Sequence, residues 1–159
     1  MAQRVYIETT FVSYLTARPS RDVVIAGHQQ STHEWWDTRR TSYELCVSQL
    51  VLDEAGAGDA LAAQERLAAL RPMLVLETTV EALELAKELL QAAALPAKAA
   101  NDALHIAVAA TKAVPYLLTW NCRHLANAVM RPLIEAGCSA KGFKAPIICT
   151  PDELLGSTP

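Results

Sequence analysis

The chain has 159 residues, of which 52% are hydrophobic and 19% charged, and its formal net charge is −3. That length can bury a real core in one domain spanning 1–159, and the composition excludes a disordered chain. No apolar run approaches the roughly 18 residues that a bilayer span needs, and the acidic balance excludes a global basic field for nucleic acid, leaving only a local site in which metal ions bridge an acidic pocket to phosphate.

Short β-like runs alternate with helical stretches, the pattern of an α/β fold with a parallel sheet. Residues 3–7 read as the first strand, about 10–17 as a short helix stopped near Pro19, and about 22–40 as a long helix with Ile25, Thr32 and Trp35/Trp36 at helical spacing. Strand-like sequence by Val5 leaves no room for a signal peptide, so a cytosolic protein is expected. Adjacent helical residues point about 100° apart, so at most one of Trp35 and Trp36 is expected in the core. The other is a candidate for an interface with a second copy or a partner protein. Tyr43–Val47 reads as the second strand. Ser48 reads as the N-cap of a helix carrying Glu54, and Gly56 and Gly58 end that helix. Asp59 caps the next helix, with Leu61, Leu67 and Leu70 apolar, and Pro72 breaks it.

Met73–Leu76 reads as a short third strand. Thr78-Thr79-Val80-Glu81 is a capping-box pattern opening a helix with Val80, Leu83, Ala86 and Leu90 on one face, where Glu84 and Lys87 can pair. Pro96 precedes the helix that carries Asp102. Tyr116–Trp120 reads as the fourth strand, 122–136 as a helix broken at Pro132, and Ile147–Cys149 as the last strand. Thr150-Pro151-Asp152-Glu153 reads as a helix start.

Four polar residues end apolar runs or open helices: Glu8, Glu54, Asp102 and Asn121. In open parallel sheets, sites lie outside the carboxyl ends of the strands, so Glu8 and Asn121 belong at one edge. Glu54 follows strand two, and Asp102 sits near the positive end of its helix. Such oxygen ligands can hold a hard divalent cation and activate water for phosphodiester cleavage. Clustered carboxylates also predict that one of them titrates above its ordinary value through mutual repulsion. His105, three residues after Asp102, shares its helix face and is either a partner of the acids or a core histidine. Thr9, Thr10 and Thr119 are candidate hydrogen-bond donors to the carboxylates. Arg18, Arg21, Arg39, Arg40, Arg123 and His124 are candidate phosphate contacts.

Other motifs point nowhere. His33-Glu34-Trp35-Trp36-Asp37 lacks the second histidine of a zinc protease. Cys46, Cys122, Cys138 and Cys149 form no C-x-x-C pair, so reduced thiols are expected, with Cys46 and Cys149 as small hydrophobes in strands.

The segments Val5-Tyr6-Ile7-Glu8-Thr9-Thr10, Ser48 to Glu54, Asp102-Ala103-Leu104-His105-Ile106-Ala107 and Leu118-Thr119-Trp120-Asn121, in this order, resemble the PIN domain, a family of metal-dependent ribonucleases that includes VapC-type toxins of toxin–antitoxin pairs. The resemblance covers essentially the whole chain. It implies a three-layer α/β/α sandwich with a mostly parallel central sheet, and an endoribonuclease acting with Mg²⁺ or Mn²⁺. Glu8, Glu54, Asp102 and Asn121 would be its metal-binding and catalytic positions. RNA, an antitoxin protein and a second copy of the chain are the expected partners, with no membrane. Glu8 stands where the family usually has Asp, one methylene shorter, and Asn121 where a fourth Asp is usual. The alternative reading is a PIN-fold module with a weakened or inactive site that binds RNA or a protein.

Overall fold

A computed structural model of the chain describes residues 2–92 and 95–156. Strands β1 (Gln3–Ile7), β2 (Tyr43–Ser48), β3 (Leu74–Leu76), β4 (Tyr116–Leu118) and β5 (Ile147–Cys149) form one parallel sheet in the order β3-β2-β1-β4-β5. Among the described residues the α-helices are α1 (Thr9–Thr16), α2 (Val23–Arg39), α3 (Gln49–Ala55), α4 (Ala60–Leu70), α5 (Val80–Gln91), α6 (Ala100–Thr111) and α7 (Met130–Ala140). They flank the sheet, giving the expected α/β/α arrangement. β1 is central and covered on both faces, which is why its last three residues, Val5, Tyr6 and Ile7, are all fully buried. The chain order reverses across β1, whose neighbours are β2 and β4, and this switch point is where such sheets open a crevice at their carboxyl ends. No helix among the described residues is long and apolar enough to cross a membrane.

Local chemistry explains most helix starts. Asp22 accepts from the backbone N–H groups of Val24 and Ile25, Asp59 from Ala62, and Thr79 from Ala82. Each such cap is worth about 1 kcal/mol. Trp35 is the buried member of its pair and donates from its indole nitrogen to the Leu154 carbonyl at 3.2 Å. Trp36 lies half-buried with the Arg40 guanidinium 4.8 Å from its ring centroid. Burial pushes the Cys46 and Cys149 thiols up to about 12 and Cys138 to about 11, so these strand and helix cysteines behave as hydrophobes.

Several elements differ from the pattern-based expectation. The apolar face of α5 is Ala82, Leu85, Ala86 and Leu89, while Val80 and Leu83 are exposed. Both neighbouring stripes are apolar, and packing on α6 and α7 selects one. Lys141, not Lys87, reaches an acid of this helix, Glu88, at 3.4 Å. Ile25 and Leu61 are exposed rather than core. Residues 122–129 form turns, and the following helix begins only at Met130, so Pro132 sits in its first turn, where a missing N–H costs nothing, and makes no break. Thr150 to Glu153 makes a turn without a helix. Glu153 folds back to accept from the Thr150 backbone N–H, the reciprocal half of a capping box, and pairs with Arg131 at 2.9 Å.

Candidate active site

Glu8 follows β1 directly and caps α1. Its Oε2 accepts from the Thr10 backbone N–H at 2.6 Å, and its Oε1 accepts from the hydroxyls of Thr10 at 2.9 Å and Thr119 at 2.8 Å. Parallel pairing sets up this cluster: Ile7 lies opposite Leu118, and the Glu8 N–H donates to the Leu118 carbonyl, so Glu8 and Thr119 leave the sheet side by side. Only 3% of Glu8 is exposed. Burial pushes its carboxyl above the ordinary value, against the pull of His105 and of its own hydrogen bonds. The direction is the one expected, but its cause is desolvation, not repulsion among the carboxylates.

Glu54 stands near the end of α3. Its Oε1 accepts from the Thr9 hydroxyl at 2.6 Å and from His105 Nε2 at 2.7 Å, and its Oε2 from Asn101 Nδ2 at 3.3 Å. Asn101 and His105 lie four apart on α6, on one helix face, which is how both reach the same carboxylate. His105 is 1% exposed, and its Nδ1 meets the Tyr6 hydroxyl at 2.7 Å. That hydroxyl in turn meets the Ser48 hydroxyl at 2.7 Å. An ionised carboxylate can only accept, so His105 Nε2 donates to Glu54. With His105 neutral the run of hydrogens passes from Ser48 through Tyr6 to His105; with His105 protonated both ring nitrogens donate and Tyr6 donates to Ser48. Ser48 occupies the N-cap position of α3 but makes no capping bond; Tyr6 has claimed its hydroxyl. Burial raises the Tyr6 phenol far above its ordinary range, so it stays protonated and available as donor.

Partial burial would raise the Glu54 carboxyl, yet the hydrogen bond and attraction of His105, together with the hydrogen bonds from Thr9 and Asn101, outweigh it, and the net shift is downward. A carboxyl whose folded pKa is depressed contributes stability above its unfolded value, and loses it as pH falls through the folded pKa. Urea midpoints of the wild type and of Glu54→Gln are therefore expected to differ at neutral pH and to converge in acid, below the ordinary carboxylate value. Parallel midpoint curves over that range would contradict the role assigned to His105.

Asp102 lies in the first turn of α6, with Oδ2 3.1 Å from His124 Nδ1. His124 is placed by Asn121, whose Oδ1 accepts from the backbone N–H groups of Arg123 at 3.2 Å and His124 at 3.0 Å. The Asn121 N–H donates to Thr119 Oγ1, the hydroxyl that serves Glu8. Thus hydrogen bonds link Glu8, Asn121 and Asp102 through Thr119 and His124, while Thr9 and Asn101, the chain neighbours of Glu8–Thr10 and of Asp102, hold Glu54. All four lie at the carboxyl end of the sheet.

They do not form a ready metal cage. Among the described residues no three His, Cys, Asp or Glu side chains stand where they could hold one ion. The Glu8 oxygens are buried on their own donors, and the Asn121 oxygen is taken by two backbone N–H groups. Glu54 and Asp102 remain partly open, at 30% and 20% side-chain exposure. Of the candidate phosphate contacts, Arg18, Arg21, Arg123 and His124 lie on segments at this end. Arg39 and Arg40 end α2 and lead directly into the start of β2, at the opposite edge of the sheet. The sequence reading missed Tyr6 and Ser48, whose hydroxyls are hidden in strand-like runs, and the pairing of His124 with Asp102.

The family model for the PIN domain matches residues 5–126, which contain every residue of this network. No curated protein matches the chain. Among solved structures, the chain is similar to VapBC2 from Rickettsia felis, bound to a DNA fragment from its promoter. The TM-score is 0.58 at 16% identity, over 93% of this chain and 98% of that one. It is also similar to Mycobacterium tuberculosis VapC20, a toxin that cleaves the sarcin–ricin loop, with a TM-score of 0.56 at 19% identity, over 89% of this chain and 99% of that one. At these identities the likeness speaks to the fold. Together with the sequence-level match over most of its length, it leads to one conclusion: this chain belongs to the PIN domain family.

Proposed function

We propose that the chain is a PIN-type endoribonuclease of the toxin–antitoxin kind, with a reduced metal site made by Glu54 and Asp102. The observation that carries this reading is the division of labour among the four polar residues. Glu8 and Asn121 spend their oxygens on the backbone and hydroxyls of the chain itself. Glu54 also accepts from three side chains, Thr9, Asn101 and His105, and Asp102 meets His124, but both carboxylates keep partial exposure where Glu8 is buried. Carboxylates that ligate metals are supported in this way. Mg²⁺ commonly takes one or two carboxylates and fills the remaining positions with water and substrate phosphate, and carboxylates suit Mn²⁺ as well. Two open carboxylates are therefore donors enough for such an ion, whereas no three of the described His, Cys, Asp and Glu side chains could hold one.

When bound, the ion supplies an activated water and neutralises charge on the phosphodiester. The chain's own residues do the rest. The Ser48–Tyr6–His105 chain fixes the direction of the Glu54 carboxylate. The Asn121 turn presents His124 to Asp102 and leaves Arg123 exposed at the same edge for a phosphate. Glu8 locks α1 to β4 and thereby sets Thr9 against Glu54. An antitoxin protein and a second copy of the chain are the partners this reading adds.

The inward-facing Glu8 and Asn121 favour a second reading, a PIN-fold module that binds RNA without cutting it. Titrating metal into purified protein with a panel of RNAs, with a chelator control, separates the two. Chelator-sensitive cleavage supports the nuclease; RNA binding that is indifferent to chelator, with no cleavage at any metal concentration, supports the module. Mn²⁺ is expected to outperform Mg²⁺ at matched concentration, because oxygen and nitrogen sites generally bind it more tightly and a site with few ligands cannot impose the strict geometry Mg²⁺ prefers. Equal or better cleavage with Mg²⁺ would contradict a reduced site.

A further inference from the structure

Beside the acidic network lies an aromatic cluster that the network does not use. Trp120, the residue before Asn121, stacks on His28 of α2 with ring centroids 4.1 Å apart and planes 13° from parallel. Tyr14 of α1 stands edge-on to both, 6.0 Å from His28 and 6.1 Å from Trp120. The cluster is built rather than incidental. Trp120 donates from its indole nitrogen to the buried Thr32 hydroxyl at 2.7 Å, and its backbone N–H donates to Thr10 Oγ1, the hydroxyl that serves Glu8. Tyr14 lies four residues after Thr10, on the same face of α1. The rings therefore continue directly from the acidic edge.

Trp120 is 8% exposed and forms the floor, whereas His28 and Tyr14 are half-buried and form the accessible rim. The α1–α2 connection is tied to the residue after His28. Gln29, next to His28, accepts from the Ser20 N–H and donates to the Arg18 carbonyl, fixing the turn that carries the exposed Arg18 and Arg21. Arg123 is exposed on the other side of Asn121. The chain as a whole is acidic, so these arginines are a local departure from its net charge of −3. Half-open rings with exposed arginines on the neighbouring segments suit a splayed nucleotide, whose base can stack while its phosphates meet arginine.

We infer that Tyr14 and His28, seated on Trp120, form a stacking platform for one unpaired base of single-stranded RNA next to the acidic site. The inference rests on the nuclease reading and adds to it a base-stacking subsite made of this chain's own residues. A duplex keeps its bases stacked inside and offers this rim nothing to take up.

The test is equilibrium binding, in chelator so that no strand is cut, of short labelled single-stranded RNA carrying a fluorescent adenine analogue whose emission stacking quenches. The wild type is expected to bind and quench the analogue, and to bind a matching duplex more weakly. His28→Ala and Tyr14→Ala are expected to weaken single-strand binding by roughly 5- to 100-fold, the range for loss of a base–aromatic stack, while Tyr14→Phe keeps it. An abasic nucleotide at the quenched position should weaken wild-type binding similarly, and should add little to His28→Ala, since both remove the same contact. The abasic arm needs no variant, so a misfolded mutant cannot obscure the result. Variants or abasic strands that bind like their references overturn the platform and leave the nuclease reading standing, as does preference for duplex. A wild type that binds no single strand also overturns the platform, and the separate cleavage assay in metal then decides whether the nuclease reading falls with it.

Discussion

Asp102→Asn is expected to lower RNA cleavage by at least about a hundred-fold while leaving the fold nearly untouched. Losing a group that merely supports a metal ligand costs roughly 10- to 100-fold. Removing the charge of one of only two open carboxylates belongs at the top of that range or beyond it. The structural cost is small by comparison. Asp102 is partly exposed, and its single side-chain partner among the described residues is His124 at 3.1 Å. Asparagine keeps an oxygen for that contact, so what disappears is a favourable acid in the first turn of α6, worth about 0.3–1 kcal/mol. For a chain of this size that is at most about 4 °C in Tm. Cleavage rates with RNA and a thermal melt on the same preparation check both halves. A variant that cuts like the wild type removes Asp102 from the site. A binding module has no cleavage to lose, and its affinity for RNA should hardly respond.

Much of this was legible in the chain because backbone chemistry is local. Strand periodicity, Asp and Thr caps and the Gly56 and Pro72 stops are properties of a few consecutive residues, and β1, β5, α1, α2 and α4 fall within a residue or two of where those signals put them. The placement of Glu8 and Asn121 at one edge follows equally from their positions after strands, and that of Asp102 from a helix start, whereas Glu54, near the end of α3, is brought there by the short helix after β2. What could not be read is which way a side chain turns once it arrives. Glu8 and Asn121 look like ligands by position, but Glu8 accepts from three donors and Asn121 from two backbone N–H groups. The Thr119 bond to Glu8 exists only after β1 and β4 pair, and the others are cap and turn bonds within three residues that position after a strand does not by itself distinguish from ligation. The same holds for Ser48: its position is that of a cap, and Tyr6, 42 residues away, takes its hydroxyl. The apolar face of α5 failed for a related reason. Two adjacent stripes are both hydrophobic, and only contact with α6 and α7 decides between them.

The sign of a single stability change tells whether Glu8 is a structural acid or a metal ligand. A carboxylate kept among other carboxylates for an ion is repulsive when the ion is absent, so deleting it should stabilise the metal-free protein. The contacts of Glu8 predict the opposite. Glu8→Ala removes the cap of α1, worth about 1 kcal/mol, and leaves the Thr10 and Thr119 hydroxyls without their acceptor in a buried place, at about 1–3 kcal/mol for each group left unpaired. Relief of the desolvation that raises the Glu8 carboxyl offsets part of this. A net loss of about 3 kcal/mol, near 6–12 °C in Tm for a chain of this size, is expected. Glu8→Gln keeps an acceptor for the hydroxyls and sheds the buried charge, so it should cost less, about 1 kcal/mol for the weakened cap. Both are to be measured by urea and thermal unfolding in chelator. The order wild type, Gln, Ala, from most to least stable, identifies Glu8 as the residue that fastens α1 to β4 and sets Thr9 against Glu54. An alanine variant more stable than the wild type would return Glu8 to the ligand set and make the site a three-carboxylate one.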